Sequence, residues 1–282
     1  MQKKVLAIHD ISCVGRCSLT VALPILSAAG LNTSVIPTAL LSTHTGEFSG
    51  YTHLDLSDQL LPIAEHLASL QLPLDAFYSG YLASPAQVTQ IKQMMDMLCG
   101  SETHIFVDPA FADHGKLYAL MSSDMPRQMR CLCACAHTIV PNFTEASFLL
   151  GKPYQEVYDR THVASLTREL AALGPENVVI SDISFDAAQT GIAVFKQGMG
   201  EPEYFFTPRY DGTFHGTGDV FASLLLAGLL SERSLMDAAQ LALSLTHESI
   251  LLTLEDKQPL RYGVQFERIL PALMQELQGG QG

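Results

Sequence analysis

The sequence predicts an α/β fold: a three-layer α/β/α sandwich around a mostly parallel central sheet. Three observations predict it. Short apolar runs alternate with stretches of helix length through the first 180 residues. Those runs are continuously apolar, as in strands covered on both faces. Each helix-length stretch lies between two such runs, and strands joined through helices pair in parallel.

The elements follow in order. Residues 5–8 form a strand that ends in His9-Asp10, with a turn through Ser12, Gly15 and Arg16. A helix over about 18–29 stops at Gly30, and residues 35–41 are the next strand, followed by polar Ser42-Thr43-His44-Thr45-Gly46. Residues 54–70 read as helix, with Asp55 or Ser57 as the start signal. Residues 75–82 are a third strand with its exit loop, and Pro85 opens a helix to about 98. A fourth strand, 104–109, ends in Asp108-Pro109; a loop and a short helical region lead to a fifth, 138–142, which runs into a helix over 144–150. Helix 161–173 and strand 177–181 follow, then an antiparallel pair at 191–196 and 203–207. Helices near 217–230, 234–252 and 264–277 close the chain, and the glycine-rich tail 279–282 reads as disordered.

The chain has 282 residues, 48% hydrophobic and 16% charged, which suits one large domain over 1–282 with a well-buried core. A net charge of −13 without any basic stripe argues against nucleic acid as a partner. No apolar run reaches transmembrane length, and the segment after Met1-Gln2-Lys3-Lys4 is too short for a signal peptide. The expectation is a cytoplasmic protein with no membrane contact. Cys131, Cys133 and Cys135 form C-x-C-x-C near His137, but the spacing is not a usual zinc pair, and buried reduced thiols are the better reading.

The stretch Thr213-Phe214-His215-Gly216-Thr217-Gly218-Asp219 precedes an Ala- and Leu-rich run. It reads as the N-terminus of a buried helix, where two glycines let unpaired amides converge on an anion. Asp219 stands where that anion belongs, so it either caps the helix or takes a proton from a group reacting beside a phosphate. In a parallel sheet, ligands bind at the carboxyl ends of the strands. The polar residues there are Asp10, Ser12, Thr45, Tyr81, Asp108, Asn142, Glu145 and Ser181. Each has an alternative as a turn or cap residue; jointly they put several carboxylates and an anion-binding helix start on one rim.

No G-x-x-x-x-G-K-[ST], no G-x-G-x-x-G after the first strand and no G-x-S-x-G occur. Phosphoryl transfer by another set of groups remains. Gly216, Thr217 and Gly218 would hold the transferred group, and Asp219 would deprotonate a substrate hydroxyl. Asp108 and Glu145 would hold Mg²⁺, directly or through water, against nucleotide phosphates.

Gly216-Thr217-Gly218-Asp219 opening a buried helix resembles the signature of the ribokinase-like superfamily. The vitamin B6 kinases (pyridoxal or pyridoxamine kinases) are resembled by Ser42-Thr43-His44-Thr45 with Gly50, Ser79-Gly80-Tyr81-Leu82, and Val107-Asp108-Pro109 with Asp113-His114-Gly115-Lys116-Leu117-Tyr118. Val140-Pro141-Asn142-Phe143-Thr144-Glu145-Ala146 completes the set. The resemblance implies ATP, Mg²⁺, a homodimer and transfer to the 5′-hydroxymethyl group of a pyridine vitamer. It implies Asp219 as base and Gly216, Thr217 and Gly218 as anion hole. Asp10, Ser12, Thr45 and Tyr81 become the ring-binding set. Asp108, Asn142, Glu145, Ser181, Thr207, Pro208, Arg209 and Tyr210 fall on the nucleotide and metal side.

The sequence departs from that pattern at three places. Asp10 stands where many relatives have Ser, which would favour an amine-bearing vitamer. No Gly precedes Asp113, and Ser181-Asp182-Ile183-Ser184 replaces the common nucleotide-strand residues. Hydroxymethylpyrimidine kinases often carry Cys at the position of Asp219 and are the nearest enzymatic alternative; a vitamer-binding protein without catalysis is the other.

Overall fold

The computed structural model describes residues 2–279. The strands are β1 (Lys4–Ser12), β2 (Asn32–Leu41), β3 (His53–Asp55), β4 (Ala76–Ser79), β5 (His104–Val107), β6 (Ala112–Asp113), β7 (Lys116–Leu117), β8 (Thr138–Ile139), β9 (Asn177–Ile183), β10 (Gln189–Lys196) and β11 (Glu203–Pro208). The helices are α1 (Leu19–Ala28), α2 (Ser57–Ser69), α3 (Pro85–Leu98), α4 (Met125–Cys133), α5 (Phe143–Leu149), α6 (Arg160–Ala171), α7 (Thr217–Leu230), α8 (Leu235–Glu255) and α9 (Leu270–Gly279).

The large sheet has the order β11-β10-β9-β8-β5-β4-β1-β2-β3. Its central strands, β9 to β2, are parallel; β10 and β3 run antiparallel to their neighbours at the two sides. This is the expected three-layer α/β/α arrangement. One face buries α1, α7, α8 and the segment that ends in α9; the other buries α2 to α6. Both cores press on the same sheet, so the strand tips form one continuous rim.

Local chemistry sets several element ends. Ser84 caps α3, its hydroxyl accepting the Gln87 amide at 3.3 Å, with Pro85 in the first turn. In β1 and β2 the ladder shifts between His9 and Ile11, beside Pro37, which has no amide to give to it. Asp10 is the β1 residue inside that irregularity, the kind of defect that re-aims a side chain near a site.

Five expectations need correction. Residues 53–55 are an edge strand, and α2 begins at Ser57. Asp55 accepts the Ser57 amide at 2.7 Å, an Asx turn that closes the strand rather than a cap inside the helix. Residues 112–117 form a small antiparallel hairpin, too short to leave a periodic signal. The C-terminal helix is split: a 3₁₀ turn, Phe266–Ile269, precedes α9, which starts where Pro271 is tolerated in the first turn. Of the three thiols in C-x-C-x-C only Cys133 is buried; Cys131 and Cys135 are exposed. In the tail, Gly279 ends α9, and 280–282 lie outside the described residues. Among the described residues no helix is long and apolar enough to cross a membrane.

Helix α7 carries the site from beneath. Val220, Leu224, Leu225, Leu226 and Ala227 are fully buried, and α7 packs against α1 and α8. Leu225→Ala should therefore cost about 2–5 kcal/mol, read as a lower urea midpoint with an unchanged m-value. A loss below about 0.5 kcal/mol, typical of surface changes, would contradict this packing.

Candidate active site

The start of α7 is built by close approach of three segments. Gly216 is left-handed (φ 80°), and a Cβ there would stand 2.0 Å from the Arg16 carbonyl oxygen, so no other residue fits. Arg16 N–H donates to Tyr262 O at 3.0 Å, and Val264 N–H donates to His215 O at 3.1 Å. The turn after β1, the loop before α7 and the turn at 260–264 are thus tied together. Thr217 closes the loop, its hydroxyl donating to Phe214 O at 2.9 Å. Gly218 faces open space, which leaves the helix start accessible to a ligand.

Asp219 sits in the first turn of α7. The residue keeps some exposure, but its carboxyl group is set deep, and desolvation raises its pKa to about 7. A backbone hydrogen bond from Ser18 opposes that rise and the nearby Asp10 charge adds to it. Ser18 is itself strained, with φ 53°, and caps α1 without a side-chain bond.

Asp10 is only 5% exposed, and burial raises its pKa. Its carboxylate accepts the Ser12 hydroxyl at 3.4 Å, and the Ser18 side chain beside it works against the rise in pKa. It is held to its own turn while lying within the field of Asp219 and Tyr81. The Tyr81 backbone is fixed by Thr38, whose hydroxyl donates to Tyr81 O at 3.2 Å. Thr45 lies half-buried in the loop after β2. That loop is pinned by His44: Nδ1 accepts Gly46 N–H at 3.1 Å, which leaves Nε2–H to donate to Arg261 O at 2.6 Å. Phe48 adds an edge contact to His44, and Arg261 lies over the Phe48 ring. The ring-side candidates Asp10, Ser12, Thr45 and Tyr81 therefore lie at the tips of β1, β2 and β4, with Asp10 next to Asp219.

On the other side, Asp108 follows β5 and is 7% exposed. Burial raises its pKa strongly, and the charges of Glu145 and Asp219 add to that. Asn142 and Glu145 form a capping box on α5. Glu145 Oε2 accepts Asn142 N–H at 2.9 Å, and Oε1 accepts Phe111 N–H at 2.8 Å and Ala112 N–H at 3.3 Å. Even so, burial raises its pKa to about 7. Asn142 is equally committed: Oδ1 accepts Glu145 N–H at 2.9 Å and Nδ2 donates to Ala112 O at 2.7 Å. Ser181 pairs with Asn142 across β9. Arg209 follows β11, with Thr207 and Pro208 before it, and its charge reaches Asp182 next to Ser181. Tyr210 stacks on His247, centroids 5.8 Å apart. The candidates 207–210 thus flank Ser181, at a distance in sequence but along the same rim.

Among the described residues, Asp10, Asp108, Glu145 and Asp219 take part in no ion pair. Buried carboxylates without a counter-charge are costly, and hard oxygen donors suit a divalent cation. Asp108 fits as the direct ligand; Glu145, with both oxygens already accepting amides, fits as a partner through water. The chain also places Asp113, His114 and Asp182 so that one ligand atom of each lies within 4.8 Å of the others. In the sequence Asp182 stands out only within the altered Ser181-Asp182-Ile183-Ser184 stretch, because the positive φ (56°) of this non-glycine residue is not displayed there.

The family model described as phosphomethylpyrimidine kinase matches residues 23–261. The chain belongs to that family. A family member from Bacteroides thetaiotaomicron, described as a phosphomethylpyrimidine kinase and crystallised with pyridoxal, is 32% identical, with 97% of this chain and 96% of that one covered at a TM-score of 0.92. Pyridoxal kinase from Lactobacillus plantarum is 31% identical over 100% of this chain and 99% of its own, with a TM-score of 0.90. A pyridoxine/pyridoxal/pyridoxamine kinase from Bordetella avium is 28% identical over 236 residues, 80% of this chain and 77% of that one. The resemblance to B6 kinases of the ribokinase-like superfamily therefore holds over the length of the chain.

Glu145→Gln puts an amide group against backbone N–H donors, so it should lose about 1–3 kcal/mol of stability, read by urea denaturation. An unchanged midpoint would show that Glu145 does not anchor the 111–112 backbone.

Proposed function

We propose that this family member is a B6 vitamer kinase: it transfers the terminal phosphoryl group of ATP to the 5′-hydroxymethyl group of pyridoxal, pyridoxine or pyridoxamine. The observation that carries the reading is Asp219, a deep carboxylate at an open, glycine-flanked helix start. Its raised pKa suits a base working near neutrality. The vitamer lies over Asp10, Ser12, Thr45 and Tyr81, with its hydroxymethyl group toward Asp219. The amides of Gly216, Thr217 and Gly218 face the transferred group and stabilise its charge as it passes. Asp219 takes the hydroxyl proton, and Asp10 beside it is kept turned to Ser12 and Ser18.

The nucleotide lies toward Asn142, Ser181 and the 207–210 stretch. Asp108, with Glu145 behind it, would hold Mg²⁺, which when bound neutralises phosphate charge. The protein works as a cytoplasmic homodimer of one-domain subunits, with neither nucleic acid nor membrane as partner.

The family description also names pyrimidine substrates, so hydroxymethylpyrimidine is the competing acceptor. Asp219 in place of the Cys common in hydroxymethylpyrimidine kinases favours the vitamer. An ADP-coupled assay across the three vitamers and hydroxymethylpyrimidine decides between them: the vitamers should give the higher kcat/KM, and a preference for the pyrimidine would overturn the assignment. Asp219→Asn should lower kcat by about 10² or more with KM within a few-fold. A variant within a few-fold of wild-type kcat would remove Asp219 from the base role.

The rise in the Asp219 pKa also sets a pH limit. Below about 7 the base becomes protonated, so kcat should fall on the acid side by tenfold per pH unit. A flat profile from pH 5.5 to 8 would contradict it.

A further inference from the structure

Beneath Asp219, facing the sheet, lies a polar layer that the reaction above leaves unused. Ser223 follows Asp219 by four residues, so the two share one side of α7. It is fully buried in a helix whose neighbouring side chains are apolar. Opposite stands Tyr78 of β4, also fully buried. Its hydroxyl lies beside Ser223, outside a well-formed hydrogen bond, and within the fields of Asp108 and Asp219. His9 of β1, fully buried, packs edge-on against Tyr78 with centroids 4.3 Å apart and planes at 85°.

Neither hydroxyl, nor either ring nitrogen of His9, has a hydrogen-bond partner among the described residues. Buried polar atoms are nearly always satisfied, so a cluster of them on neighbouring side chains points to a ligand that satisfies them together. The cluster is built, not incidental: His9 occupies its place because residue 80 is glycine. A Cβ on residue 80 would stand 2.0 Å from His9 Nδ1. Gly80 belongs to the Ser79-Gly80-Tyr81 motif, yet its φ is not in the left-handed region, so space and not backbone freedom explains it.

We propose that Tyr78, Ser223 and His9 hold buried water against the sheet side of the Asp219 carboxylate, making Tyr78 and Ser223 positioning residues for the base. A water there needs two to four polar partners, and two hydroxyls, an imidazole nitrogen and a carboxylate provide them. The groups facing Asp219 are Asp10 from β1, Cys17 and Ser18 from the turn before α1, Tyr78 from β4, Asp108 after β5 and Tyr118 after β7. Hydroxyls and water are the neutral donors in that set on the sheet side. By bonding one carboxylate oxygen they leave the other directed at the substrate hydroxyl. This rests on the base role of Asp219 given above.

Ser223→Ala and Tyr78→Phe in the full chain separate the proposal from its rival. If the hydroxyls are merely unpaired in an apolar core, removing either should raise Tm and leave kcat unchanged. If they hold water for Asp219, neither variant gains Tm, and kcat falls about tenfold, the worth of one charge-assisted hydrogen bond. KM for vitamer and nucleotide stays within about twofold in that case, and Ser223→Thr, which keeps the hydroxyl, recovers most of the loss. A crystal structure at about 1.8 Å should show ordered solvent between Tyr78 and Ser223; its absence, or a raised Tm with wild-type kcat, overturns the proposal. If the wild type phosphorylates no vitamer, the functional assignment fails, while the density and the sign of the Tm change still decide the water site.

Discussion

A carboxylate held deep at the start of an apolar helix, with no cation paired to it among the described residues, is the constraint on which this structure turns. Asp219 sits between the amides of α7 and the charges of Asp10 and Asp108. Its placement requires Gly216, because only a residue without Cβ passes the Arg16 carbonyl. It also requires the turn at 13–18, which supplies the Ser18 contact, and the turn at 260–264, which fixes both neighbours by backbone bonds. Strain and desolvation concentrated at one point are tolerated in proteins where function demands them and packing over-determines the geometry. The packing here is α7 itself, buried along most of its length against α1, α8 and the sheet.

Sheet topology then divides the labour. Because β1, β2 and β4 are neighbours, their tips bring Asp10, Ser12, Thr45 and Tyr81 together although they span some seventy residues. Because β8 and β9 are neighbours on the other side of β5, Asn142 and Ser181 pair directly. Asp108, at the tip of β5, stands between the two groups. A rim with the residues proposed for the ring on one side and those proposed for the nucleotide on the other, with acids between, follows from strand order more than from any one motif.

Much of this was legible in the sequence, for identifiable reasons. Continuous apolar runs fix buried parallel strands, and Ser84-Pro85 and Asn142-x-x-Glu145 mark helix starts by their hydrogen-bonding chemistry. The glycines of 216–218 mark a backbone that must approach something closely. What was not legible is what depends on tertiary contact. The capping box is visible as a pattern, but nothing in sequence shows that Glu145 also gathers the amides of Phe111 and Ala112. His44 reads as a loop residue until its ring is seen clamping Gly46 to Arg261. Leu54 supplied a helical period although it is an exposed residue of an edge strand. The buried layer of His9, Tyr78 and Ser223 reads, residue by residue, as two strands and a helix.

Asp219 also links the site to stability with a definite sign. Its folded pKa, raised to about 7, lies above the ordinary value of 3.8. The folded state therefore binds the proton more tightly, and the stability associated with the neutral form is lost as pH rises from about 4 through about 7. His9 and His104, whose pKa values burial lowers to about 3 and about 4, act in the opposite direction, so wild-type stability alone mixes the effects. The difference between Asp219→Asn and wild type cancels the histidines, because Asn mimics the neutral acid. The direct measurement is that difference in Tm from pH 5 to 8 without nucleotide. It should already favour Asn modestly at pH 5, grow as pH rises to about 7 and level off above that. A difference independent of pH, or a less stable Asn variant at pH 8, would contradict a desolvated, uncompensated carboxylate at the start of α7.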